Sequence, residues 1–62
     1  MVIRYIVIDR GGGEFIPVAE ADGVEIYRGS IFRSENLAFH AAVNCKQVEM
    51  VRSGVPVSAV AR

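Results

Sequence analysis

The sequence predicts an α+β domain: a three-stranded antiparallel sheet followed by one long α-helix packed on one sheet face. Three observations carry this. Two turn signals, Gly11-Gly12-Gly13 and Asp22-Gly23, divide the first 28 residues into short runs rich in β-branched and aromatic types. The hydrophobic period then changes from two to about 3.6 at Ser34. Gly54 and Pro56 stop that second pattern.

The first strand is expected over residues 2–9, Val-Ile-Arg-Tyr-Ile-Val-Ile-Asp, and ends at the glycine run. The second covers residues 14–20 and the third residues 24–28, closed by Gly29. Asp-Gly between them is a strong short hairpin signal, because glycine reaches positive φ without steric cost. Ser34 can cap the first helical turn, and Glu35 sits where the helix dipole favours a carboxylate. The helix should run to about Ser53. Residues 1–53 then form a single βββα domain, with residues 54–62 as a C-terminal tail.

A four-residue loop at 10–13 and a two-residue turn at 22–23 set a register. Tyr5 then opposes Val18, and Val18 opposes Tyr27. One face carries Ile6, Ile8, Phe15, Pro17, Ala19, Val24 and Ile26, with Arg4 and Arg28 at its margins. The other carries Ile3, Tyr5, Val7, Ile16, Val18 and Tyr27, with Glu20 and Glu25. A half-buried antiparallel sheet normally alternates apolar with polar, and this one is apolar on both sides. Pro17 sits in the central strand, where it removes a ladder hydrogen bond, so a bulge or local splaying is expected there.

The helix repeats the pattern. At about 100° per residue, Leu37, Ala38, Ala41, Cys45, Val48 and Val51 form a stripe for the sheet. Phe39, Val43 and Met50 gather on the opposite side with Lys46. One helix cannot bury both stripes against one sheet. A chain this short buries only ~60% of its unfolded surface, and a core of this size seldom supplies more than ~3–5 kcal/mol net. Self-association, as a homodimer or larger homo-oligomer, is the expected remedy.

Chemistry is scarce. Gly11-Gly12-Gly13 leads into a strand rather than a helix and lacks the following Lys-Ser or Lys-Thr, which excludes a phosphate-binding loop. His40 and Cys45, five residues apart on one helix, point roughly 140° away from each other. They make neither a nucleophile–base pair nor a zinc site. Asp9 and Glu14 flank a hairpin with too little chain around it to build a catalytic cleft. The expectation is a non-enzyme with no cofactor and no metal. One cysteine, and Arg4 interrupting the first apolar stretch, make a reducing cytoplasm the expected compartment.

Seven basic residues balance seven acidic ones. Residues 1–33 carry four arginines against five carboxylates, so no concentrated basic surface is visible in sequence. Even so, residues 25–38, Glu-Ile-Tyr-Arg-Gly-Ser-Ile-Phe-Arg-Ser-Glu-Asn-Leu-Ala, lead from strand to helix in a way that resembles two DNA-binding families. These are the plant ethylene-response-factor DNA-binding domain and the arm-binding domain of phage tyrosine integrases. The resemblance implies a sheet lying in the major groove, with Arg4, Arg10, Arg28 and Arg33 as its DNA contacts. The carboxylates on the same strands depart from that pattern. Residues 51–62 resemble the opening of a resolvase-type helix-turn-helix without its recognition helix.

The leading expectation is a small protein-binding regulator or inhibitor, homodimeric, of the kind common among phage and mobile elements. Tyr5, Val7, Val18 and Tyr27 on the sheet, with Phe39, Val43 and Met50 on the helix, are the candidate partner or dimer surfaces. Tyrosines suit such surfaces because a large apolar body carries a polar tip. The alternative is a DNA-binding module using the four arginines. Neither reading involves a membrane.

Overall fold

The computed structural model describes residues 1–61. Three antiparallel strands, β1 (Ile3–Gly11), β2 (Glu14–Ala21) and β3 (Val24–Arg28), form one sheet in the order β1-β2-β3. A helix bent at Asn44-Cys45 follows and packs on the sheet: α1 (Glu35–Val43) leads into α2 (Lys46–Arg52). A single turn, α3 (Val57–Val60), comes last. The α+β class, the strand order and the helix position are those the sequence predicts.

The β1–β2 register differs from the expected one by one residue. Gly12 and Gly13, both at positive φ, make a two-residue turn instead of half of a four-residue loop. Gly11 pairs with Glu14, a bulge at Arg10 follows, and from Asp9↔Phe15 the ladder runs without a break to Ile3↔Ala21. A slip of one exchanges the faces of a strand. Tyr5 therefore opposes Ala19 and Ile6 opposes Val18.

A second bulge, in β3, has two consequences. Glu20↔Glu25 and Ala21↔Val24 follow the register of the Asp22-Gly23 turn, but Tyr27 pairs with Ala19 and Arg28 with Val18. The extra residue, Ile26, turns to the same face as Tyr27, and both pack with the core. On the other face the bulge brings Glu25 and Arg28 to the same side, three residues apart, where a regular strand would oppose them.

Pro17 lies where β3 ends. Gly29 donates its N–H to the Pro17 carbonyl (2.9 Å), and the chain then loops away. It returns at Phe32, whose N–H and C=O both bond Phe15 (2.7 and 2.8 Å). The missing proline donor thus faces the splayed gap. Gly29 occupies that gap because a Cβ there would sit 2.7 Å from Pro17 Cγ and against the Tyr27 hydroxyl.

Ser34 caps α1, its hydroxyl accepting from the Leu37 N–H (3.3 Å). The bend at Cys45, which has extended backbone, resets the phase of the helix. Ala38, Ala42, Cys45, Val48 and Val51 are buried, whereas Leu37, expected on the inner stripe, is 59% exposed. The core gathers Ala19, Ala21, Ile26, Cys45, Val48 and Val51 between the sheet and α2. The expected tail is part of it: Val60 is buried in the same cluster, and Val55 and Val57 pack against it. Residues 55–61 close the core beside β3 and are not an appendage.

Candidate functional site

The two faces of the sheet have different fates. Ile3, Tyr5, Val7, Phe15, Pro17, Ala19, Ala21, Ile26 and Tyr27 lie on the helix side. Arg4, Ile6, Ile8, Glu14, Ile16, Val18, Glu20, Glu25 and Arg28 lie on the outer side. None of the outer residues belongs to the core cluster or packs against it.

The outer side is ordered by row. At its centre Ile6 pairs with Val18 and Ile8 with Ile16, a compact aliphatic patch over two strands. The three isoleucines are half-buried, and Val18, flanked by Ile6 and Arg28 on the neighbouring strands, is 3% exposed. At one end Arg4, Glu20 and Glu25 make a row across all three strands, and Arg28, opposite Val18 in the next row, reaches back to it. Glu20 directly opposes Glu25, a like-charge pair that is unfavourable alone. Each carboxylate has an arginine: Arg4 lies 3.7 Å from Glu20, and Arg28 makes a two-pronged contact with Glu25. Its Nε and Nη2 donate to the two carboxylate oxygens at 3.2 and 2.8 Å. The hydrogen bond from Arg28 holds the Glu25 carboxyl below its usual range, and the same bond raises Arg28. At the other end Arg33 lies 3.8 Å from Glu14.

The residues picked from sequence as a partner surface do not share one face. Tyr5, Val7 and Tyr27 lie on the helix side; only Val18 is on the outer side. The register slip and the β3 bulge account for the difference. Tyr5 meets Phe39 edge to face, with ring centroids 6.0 Å apart, and its hydroxyl accepts from Arg52 Nη2 at 2.7 Å. Phe39 is 42% exposed at the margin of α1, Val43 is half-buried, and Met50 packs on the core while half-buried. The expected register set Ile6 and Ile8 on the face opposite Tyr5 and Tyr27 and grouped Ile16 with those tyrosines. Gly12-Gly13 permits the two-residue turn found, but the run Gly11-Gly12-Gly13 permits a four-residue loop as well.

Of the arginines singled out for nucleic acid, Arg4 and Arg28 lie on the outer face and Arg33 at its end. Each is engaged by a carboxylate. Arg10 is in the bulge, exposed, with no ion pair among the described residues. Cys45 is buried and His40 exposed, its ring beside Phe39. Among the described residues no group of three or more His, Cys, Asp or Glu side chains is placed to hold a metal ion. A shallow hollow of about 360 Å³ lies beside β3, lined by Glu25, Ile26, Tyr27, Arg28, Gln47 and Val60. Among the described residues no helix is long and apolar enough to cross a membrane. Comparison of the chain with protein-family models, curated proteins and solved structures finds no match.

Proposed function

We propose that this chain is a small non-catalytic protein-binding module, a regulator or inhibitor acting as a homodimer, whose docking surface is the outer sheet face. The observation that carries this reading is the half-buried Ile6, Ile8 and Ile16 patch, seated around the buried Val18 and framed by charges that already have partners. Water gains little from such a patch, and an apolar protein surface gains by covering it. The charged frame is net neutral and self-complementary, which suits an interface rim. The non-catalytic part of the reading is supported by the burial of the one thiol, Cys45.

The test is sedimentation velocity at micromolar concentration on the native chain and on Ile6→Lys and Ile8→Lys. The reading expects a native dimer and monomeric, still folded variants. Folded variants with unchanged mass would remove the outer face from the interface. A second reading, duplex DNA binding, draws on Arg4 and Arg28 lying on the face opposite the helix. It expects binding that falls steeply with salt and weakens in Arg4→Ala and Arg28→Ala. Salt-insensitive absence of binding counts against it.

A further inference from the structure

The two edges of the sheet are not equivalent. β3 is five residues long, bulged at Ile26, and flanked by α2 and α3. Those are devices that keep an edge from pairing. β1 is nine residues long, and its ladder is regular from Ile3 to Asp9, with no proline and no bulge before Arg10.

The hydrogen bonds of β2 identify which β1 groups are free. Phe15 and Pro17 bond on the β3 side, through Phe32 and Gly29. In an antiparallel strand alternate residues bond to alternate sides, so Ile16, Val18 and Glu20 bond to Ile8, Ile6 and Arg4. The Asp22 N–H donating to the Val2 carbonyl at 2.8 Å continues the same parity. The N–H and C=O groups of Ile3, Tyr5, Val7 and Asp9 therefore point outward along the open edge.

We infer that β1 pairs antiparallel with β1 of a second copy, joining two three-stranded sheets into one of six strands. The register follows from the strand itself. Centring the two-fold axis on Ile6 uses the whole regular stretch, with Ile3 opposite Asp9 and Tyr5 opposite Val7 of the other copy. That arrangement makes about eight backbone hydrogen bonds. Moving the axis one residue toward the C-terminus would set Arg4 against Arg10 of the other copy, a like-charge contact. Moving it one residue the other way leaves Asp9 unpaired within the regular stretch.

The occupant is a second copy because the edge is self-complementary in this register, and because a core this small needs about the stabilisation that association supplies. The pairing also sets the Ile6 and Ile8 side chains of both copies side by side on the outer faces. Two small aliphatic patches become one band across the joined sheet. Edge pairing presupposes the self-association proposed above and specifies its geometry.

A chain of this length can be made by chemical synthesis, so the test is N-methylation of the Val7 amide. The change removes one outward donor and leaves every side chain in place. We expect native-like far-ultraviolet dichroism with a monomeric sedimentation coefficient. In parallel, Ile6→Cys should form a disulfide-linked dimer under mild oxidation, because a non-hydrogen-bonded pair on the axis brings its Cα atoms to about 4.5 Å. A folded N-methyl-Val7 chain that still dimerises, while Ile16→Lys is monomeric, would overturn edge pairing and leave the outer face as the interface. A native chain that is monomeric throughout would overturn self-association altogether.

Discussion

Replacing Gly29 by alanine tests the packing at the end of β3. Gly29 is outside the left-handed region, so alanine is conformationally acceptable there. On backbone entropy alone Gly→Ala would stabilise the chain by about 0.4–1 kcal/mol. Packing says the reverse. The new methyl would lie 2.7 Å from Pro17 Cγ and against the Tyr27 hydroxyl. Pro17 is a fully buried ring and cannot give way. Tyr27 can swing, but it is packed against the core cluster. Overpacking of this kind costs roughly 1–3 kcal/mol, and the entropic gain offsets only part of it. The net is a loss of about 1–2 kcal/mol, a large share of the ~3–5 kcal/mol available to so small a core. Urea denaturation followed by dichroism, at two protein concentrations to separate folding from association, measures it. Tyr27→Phe in the Gly29→Ala background should recover part of the loss by removing the hydroxyl. An increase in stability for Gly29→Ala would refute the close approach of Gly29, Pro17 and Tyr27.

Two further predictions concern the core and the charged row. Val48 is 1% exposed and is among the largest fully buried side chains. Val48→Ala removes two methyl groups at about 0.8 kcal/mol each, plus a cavity term, for a total loss of about 2 kcal/mol; a change within ±0.5 kcal/mol in the same denaturation assay would contradict its burial. Glu25 should titrate below the ordinary glutamate range in a carboxyl-carbon NMR titration, and Arg28→Gln should return it towards that range. Because the folded-state value is lowered, the stabilisation from this pair is present above the ordinary glutamate pKa and is lost as pH falls through the lowered one. An unshifted Glu25 in the native chain would contradict the two-pronged contact.

The element order was legible because its signals are local. Asp22-Gly23 forms the two-residue turn it advertises, Ser34 caps α1, and the helical pattern ends near Ser53. Pro17 correctly marked a splayed point, found at Gly29–Phe32. The faces were not legible, because they depend on two single-residue bulges. Three consecutive glycines fit either a two-residue or a four-residue loop, and only the tertiary structure selects the shorter with a bulge at Arg10. Nothing in Val24-Glu25-Ile26-Tyr27-Arg28 announces an extra residue. The bulge is favoured by burying Ile26 and Tyr27 together and by placing Glu25 within reach of Arg28. The bend at Asn44-Cys45 likewise shifted the inner stripe, exposing Leu37 and burying Ala42. The candidate surface moved accordingly, from a row of tyrosines to a patch of isoleucines.

The claim that the outer sheet face is an interface is tested most directly by methyl NMR of isoleucine-labelled protein with a soluble paramagnetic agent. As concentration rises into the range where the chain associates, the Ile6 and Ile8 methyls should lose relaxation enhancement. Ile31, on the loop before α1 and 44% exposed, should keep its own. Unchanging enhancement of Ile6 and Ile8 at every concentration would contradict the claim.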